Sequence, residues 1–372
     1  MRIWMRRTFA AVLVMSLMLS GTVVFATEPA ETLPTEVPAV TVQPTEIPTE
    51  TPTEAPTEAP TEEPTEPVPP TPKYEVDTST ALYKVCANTA SGMAYDQILV
   101  YDATNDKLVF SDTKEGSKLY PASVTKLYSS WVALQILEPD EIITVGEELK
   151  LVHAGSSVAS LREGQRPYVR QLVEGMMLPS GNDAAVVLAV AAGRRLAGNE
   201  NLDAEEAMYT FVDEMNRKGE ELGFIRSHFA NPDGWHSGSH YTCIDDMVLI
   251  AKLALANETI SRYIRRAKDE VTFPSGHTFT WDNTNKLLNE EEPYYRGDAI
   301  GMKTGYTRQA EQCLMAAFRC SDGRTLVIGV FGYADGNKRY SEINRMVKAC
   351  KEQIALEEKE AKAAAKEAAK ND

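Results

Sequence analysis

Two periodicities divide the chain. Ile98-Leu99-Val100-Tyr101 and Leu108-Val109-Phe110 are short apolar runs separated by the turn-rich Ala103-Thr104-Asn105-Asp106, a pattern that predicts a β-hairpin. Near the other end, Leu314–Phe318 and Thr325–Phe331 flank Ser321-Asp322-Gly323-Arg324, which predicts a second hairpin. Between them, from about Val169 to Leu255, the apolar positions recur at helical spacing: Leu172, Val173, Met176, Met177, then Ala184 to Ala192. A helix is expected from about Ser341 to the C-terminus. Strands therefore open and close the domain, with helices between them. The fold expected is α/β of the α+β kind: an antiparallel sheet built from both ends, flanked by helices, with an inserted helical subdomain.

Upstream of Tyr74 the pattern changes character. Phe9 to Phe25 is an uncharged apolar run behind Arg2, Arg6 and Arg7, and it ends in Val24-Phe25-Ala26. Residues 1–26 read as a signal peptide for export, or as an uncleaved N-terminal anchor. Residues 27–73 read as a disordered linker rich in Pro, Thr and Glu. The unit Pro-Thr-Glu recurs there, and 13 of the chain's 20 prolines fall within it. Such a segment has too little apolar surface for a core and stays extended, reaching on the order of 100 Å at ~3.1 Å per residue. The globular catalytic domain is expected over 74–350. Residues 351–372, rich in Ala, Lys and Glu, are expected to form a solvated helical tail without the bulky apolar face of a membrane anchor.

The net charge of −16 is uneven: 1–26 carry three Arg and no acid, whereas 27–72 carry ten Glu and no base. The body is still acidic, which argues against nucleic acid and against anionic lipid as partners. Membrane contact is expected only through the N-terminal segment. Cys86, Cys243, Cys313, Cys320 and Cys350 match neither a disulfide framework nor a zinc pattern, and are expected to be small buried hydrophobes.

Three short signals carry chemistry, in order: Ser123-Val124-Thr125-Lys126, Ser180-Gly181-Asn182 and Lys303-Thr304-Gly305. Ser111-Asp112-Thr113-Lys114 has the first spacing too, but it ends a hairpin. Ser123 instead follows Pro121 and precedes Leu127, Trp131, Leu134 and Leu137, an apolar helical face. On a helix Ser123 and Lys126 are neighbours. A neutral lysine can take the serine proton, and burial together with a second cation, Lys303, would keep it neutral. Ser180 offers a hydroxyl that can relay a proton. Asn182 offers an amide for the substrate or for Lys126. Lys303 and Thr304 offer a cation and a hydroxyl to a carboxylate, and Gly305 lets a strand approach closely.

The motifs extend further. Tyr120-Pro121-Ala122-Ser123-Val124-Thr125-Lys126, Leu178-Pro179-Ser180-Gly181-Asn182-Asp183-Ala184-Ala185, Phe229-Ala230-Asn231-Pro232-Asp233-Gly234 with His236 and His240, Asn283-Thr284-Asn285-Lys286-Leu287-Leu288, and Gly301-Met302-Lys303-Thr304-Gly305-Tyr306-Thr307 resemble the S11 serine peptidases, the low-molecular-mass penicillin-binding D,D-carboxypeptidases. The resemblance runs from about Ser91 to Lys348. It implies a β-lactamase/transpeptidase-like fold. It also implies a cell-wall hydrolase that acts outside the cytoplasmic membrane on peptidoglycan stem peptides ending in D-Ala-D-Ala and binds β-lactams covalently.

By the same resemblance Ser123 is the acylated nucleophile and Lys126 its base, and Ser180 and Asn182 form the second element. Lys303 and Thr304 hold the substrate carboxylate. The N–H groups of Ser123 and Tyr306 form an oxyanion hole, and Arg339 helps hold the terminal carboxylate. No cofactor or metal is expected. Gly238 between His236 and His240 argues against helical ligand geometry and for a loop-structuring role.

Two positions depart from the family pattern: Trp235 where Leu is usual, and Glu311 where a small residue is common. A class A β-lactamase is the main alternative, but it needs a Glu-x-x-Leu-Asn motif. Leu288-Asn289 is preceded by Asn285 at the required position. A penicillin sensor is the third reading, and only Met1–Thr8 precede the apolar run to supply an internal output.

Overall fold

The computed structural model describes residues 74–113 and 118–371. The expected signal segment and the Pro-Thr-Glu linker lie outside the described residues. The elements run α1 (Ala81–Ala90), β1 (Gln97–Asp102), β2 (Lys107–Thr113), α2 (Thr125–Ala133), α3 (Val169–Met177), α4 (Asn182–Ala197), α5 (Ala204–Leu222), α6 (Ile244–Ala256) and α7 (Glu258–Tyr263). Then follow β3 (Lys268–Thr272), β4 (Thr278–Asp282), β5 (Ala299–Thr307), β6 (Glu311–Arg319), β7 (Thr325–Tyr333) and α8 (Lys338–Asn371).

Five strands form one antiparallel sheet in the order β2-β1-β7-β6-β5. Both expected hairpins are present, and β7 joins them by pairing with β1. The N- and C-terminal ends of the domain thus share one sheet. β1 reads as an unbroken apolar run because both of its faces are buried along its whole length. Ile98 and Val100 face Leu82 and Cys86 of α1 and Ile343, Met346 and Val347 of α8, whereas Leu99 and Tyr101 face the helices that hold the site.

The order of elements at the start differs from expectation. A helix, not a strand, comes first: α1 begins at Thr80, whose hydroxyl accepts from the Tyr83 N–H at 3.1 Å. Its buried residues Leu82, Cys86 and Ala90 lie four apart on one face. The C-terminal helix begins at Lys338 and runs unbroken past residue 350. Ile354 is buried, and from Leu356 onward the apolar contact is lost. Four of the five cysteines are buried, as expected, and Cys243 is half-buried. Ser111–Thr113 lie on β2, so this Ser-x-x-Lys spacing starts no helix. None of the described helices is long and apolar enough to cross a membrane.

Candidate active site

Ser123 sits on a turn, not in a regular helix. After Pro121 the chain enters a 3₁₀ turn over Ala122–Val124 and only then the α-helix α2. Ala122 has φ 48°, a left-handed conformation that costs an alanine roughly 1–2 kcal/mol. Two glycines press on this turn from opposite chain segments. A Cβ on Gly234, itself at φ 83°, would lie 1.9 Å from the Ala122 carbonyl oxygen. A Cβ on Gly305 would lie 2.9 Å from the Pro121 oxygen and 3.1 Å from the Ser123 nitrogen. The close approach expected at Gly305 is therefore real, and Gly234 provides a second one.

Each motif carries such a strained residue. Ser180 has φ 62°, and Met302, next to Lys303, has φ 102°. Non-glycine residues held at positive φ cost energy and persist where the surroundings over-determine them.

Lys126 is fully buried, and its Nζ contacts three oxygens: Ser123 Oγ at 2.9 Å, Asn182 Oδ1 at 2.7 Å and the Asp233 carbonyl at 2.7 Å. A neutral amine has two N–H donors and one lone pair. Donating to Asn182 and Asp233 leaves the lone pair aimed at the Ser123 hydroxyl. Burial lowers the Lys126 pKa to about 8, opposed in part by the charges of Asp233 and Asp183.

Burial and Lys303 together were expected to supply this depression, and Lys303 is not among its causes. Burial alone lowers it, and the repulsion falls on Lys303, which is pushed far down by burial, then by Lys126 and Arg339. Lys303 is itself fully buried, with Nζ on the Thr304 carbonyl at 3.1 Å. It does not line the cavity, whereas Thr304, Gly305 and Tyr306 do.

Asn182 opens α4, behind Gly181. Ser180, 5% exposed, lines the cavity and makes no side-chain hydrogen bond among the described residues. Asp183 accepts from the N–H groups of Ala159 and Leu161 at 2.7 and 2.9 Å. It thereby fastens the loop whose Gly155, Ser156 and Ser157 form another wall. The Thr304 hydroxyl is 2.6 Å from that of Thr284.

Arg339, in the first turn of α8, donates from Nη1 to the carbonyls of Gly305 at 3.1 Å and Cys313 at 2.9 Å. It braces the end of β5, and its buried Nε has no partner among the described residues.

His240 and His236 do not converge. His240 accepts the Ala230 N–H at Nδ1 (3.2 Å), so Nε2 carries the proton toward Thr125 Oγ1 at 2.8 Å. It ties the loop to the start of α2, the structuring role expected, and burial keeps it neutral with a pKa near about 3. His236 packs edge-on against Tyr120 and lines the cavity.

Sequence reasoning left Asp233, Gly234, Thr284 and Asp183 without roles. All lie inside segments already singled out, but the group Asp233 presents to Lys126 is a backbone carbonyl, which no residue type announces.

These parts enclose a cavity of about 570 Å³ with Ser123 in its wall. A serine beside a buried lysine, on a turn between an antiparallel sheet and a helical subdomain, is the arrangement of the β-lactamase/transpeptidase fold. The comparisons are specific. The model of peptidase family S11, D-alanyl-D-alanine carboxypeptidase, matches residues 84–334, and the chain belongs to that family.

D-alanyl-D-alanine carboxypeptidase DacF of Bacillus subtilis is 30% identical over 259 residues, 67% of this chain and 62% of that protein. The D-alanyl-D-alanine carboxypeptidase of Streptomyces sp. strain K15 is 34% identical over 216 residues, 56% of this chain and 70% of that protein. The crystal structure of the Streptomyces K15 DD-transpeptidase superposes with a TM-score of 0.61 at 26% identity, covering 69% of this chain and 97% of that one.

Proposed function

We propose that the chain is a serine D,D-carboxypeptidase that removes the terminal D-Ala from peptidoglycan stem pentapeptides. It works outside the cytoplasmic membrane, where the wall is built. The observation that carries this reading is the Lys126–Ser123 contact of 2.9 Å on a lysine whose pKa burial holds at about 8. At neutral pH about a tenth of such lysines are deprotonated, enough to serve as a general base.

Ser123 Oγ attacks the carbonyl between the two D-Ala residues while Lys126 takes its proton. The N–H groups of Ser123 and Tyr306 hold the oxyanion. Thr304, with Lys303 beneath it and Arg339 behind it, receives the terminal carboxylate. Ser180 passes a proton toward the leaving amine. Water then hydrolyses the ester on Ser123, with Lys126 again as base. A β-lactam presents the same carbonyl and carboxylate and acylates Ser123.

The test is D-alanine release from a stem peptide ending in D-Ala-D-Ala, with Ser123→Ala as control. Release that persists in the variant, or fluorescent penicillin that still labels it, overturns the assignment. A second reading shares the acyl-enzyme but passes the acyl group to an amine, and the K15 DD-transpeptidase neighbour favours it. Adding an amine acceptor and finding ligated product in place of hydrolysis would select it.

A further inference from the structure

The far end of the cavity carries a cation that the proposed chemistry does not use. Arg308 follows β5 directly, lines the cavity and is exposed. It has no ion pair or hydrogen bond among the described residues. No aspartate or glutamate lines the cavity. In a chain of net charge −16, that leaves a local field favouring an anion. Trp235 lines the same cavity, its ring tilted against that of His153 at 4.7 Å between centroids.

The direction of β5 says which part of a substrate Arg308 meets, given the acyl-transfer reading above. Thr304, with Lys303 beneath it, marks the end that takes the terminal carboxylate. Tyr306 and Ser123 mark the scissile carbonyl. Arg308 lies two residues further along the chain, in the turn just past the end of β5, at most about 7 Å from Tyr306. On the acyl side, the residue preceding the penultimate D-Ala is reached within about two Cα spacings of ~3.8 Å.

We infer that Arg308 and Trp235 form an acyl-side subsite that selects stem peptides whose residue before D-Ala-D-Ala carries a free side-chain carboxylate, as diaminopimelate does. The guanidinium pairs with that carboxylate, and the indole covers the methylenes leading to it. Arg339 is not available for this role, because two of its bonds go to the backbone carbonyls of Gly305 and Cys313.

The experiment compares three tripeptides X-D-Ala-D-Ala that lack any other acidic residue: X with a free side-chain carboxylate, X with that carboxylate amidated, and X as N-acetyl-lysine. The wild-type kcat/KM should favour the free carboxylate by about 5-fold, the scale of an exposed charge pair. The preference should shrink with added salt. Arg308→Gln should bring the ratio close to 1, Arg308→Lys should keep part of it, and Arg308→Glu should invert it, which loss of a structural contact would not do.

A ratio unmoved by these changes, or a wild-type preference for the amide, overturns the subsite. So does a preference that appears only when an isoglutamyl residue is added upstream, since that residue's own carboxylate would then be the ligand. The same ratio is read independently as the rate of Ser123 acylation by two penicillins whose side chains end in carboxylate or carboxamide. If penicillin acylation keeps the charge preference but no peptide releases D-alanine, the carboxypeptidase reading fails and the subsite stands.

Discussion

Under the cavity floor formed by Ser123 and Asn182, Lys126 is fully buried and contacts three oxygens. At its mouth, Arg308 is exposed and has no partner among the described residues. The floor is over-determined. Its lysine is held by α4 and by the Asp233 carbonyl, its serine is wedged between Gly234 and Gly305, and its backbone carries strain at Ala122 and Ser180. The mouth is under-determined, with its guanidinium exposed and unpaired among the described residues. Such a division separates tasks. Fixed geometry lowers the barrier of one reaction, because preorganised groups need no rearrangement during it. Unpaired groups await a partner that the substrate brings. Changes on the floor should therefore abolish turnover and penicillin labelling together, whereas changes at the mouth should redistribute rates among substrates.

The largest effect expected is at Lys126. Lys126→Met removes the base and leaves Asn182 Oδ1 and the Asp233 carbonyl without their donor. D-Alanine release should fall by about 10³-fold, within the range of general-base contributions, and penicillin acylation should fall with it. A small loss in acylation would mean that another group takes the serine proton, and the floor would not be the unit described.

Gly234→Ala comes next. The new Cβ meets backbone, not a side chain that can swing away, and φ is positive. A loss of about 2–3 kcal/mol in stability or an inactive Ser123 turn is expected. Gly238→Ala in the same loop is the control, because nothing lies within 4 Å of its Cβ position. Urea unfolding and penicillin labelling of both variants check this. Equal behaviour of the two would show that the glycine contact does not hold the nucleophile.

Protonation should distinguish the regions more gently. With Lys126 at about 8, kcat/KM should rise about tenfold per pH unit below that value and level off above it. Arg308→Gln should leave the position of this limb in place, since a guanidinium does not titrate there; a limb that moves in this variant would couple mouth to floor. His240 gives a stability counterpart. Its pKa is about 3 folded against 6.5 ordinarily, so the unfolded chain binds the extra proton between those values. Stability is lost as pH falls through that window, by up to about 1.4 kcal/mol per pH unit. His240→Gln should remove that part of the acid sensitivity, as read by unfolding at pH 7 and pH 4.5.

The same division governs what could be read in the residues. Ser123, Lys126, Ser180, Asn182, Lys303 and Gly305 were legible because their spacing on a helix turn and a strand limits where they can go. Asp233 was not, since its contribution is a carbonyl. Of the two causes expected for the lowered lysine pKa, burial holds and Lys303 does not contribute: Lys303 was visible as a charge, whereas the extent of Lys126 burial emerges only once α2, α4 and the 229–240 loop are packed. Helix α1 escaped notice because its buried face, Leu82, Cys86 and Ala90, carries only one large apolar side chain. Strands β3 and β4 did so because each buries a single residue, Val271 or Trp281. Glu311 was marked only as a departure from a small residue, and the structure supplies the reason: its φ is 51°, where a glycine would be unstrained.

Glu311 also sets the smallest and most discriminating test. It ends the turn after β5 that carries Arg308, a turn closed by the Ala310 N–H donating to Thr307 Oγ1 at 3.0 Å. Glu311→Gly should relieve the left-handed strain and raise stability by up to about 1 kcal/mol, read by urea unfolding. It should also loosen the turn, because a glycine there has more backbone freedom. Turnover of the amidated substrate reports on the floor and should hold, while the preference for the free carboxylate should weaken as Arg308 loses its fixed position. A variant that gains stability and keeps its full charge preference would mean that the mouth is as rigidly built as the floor.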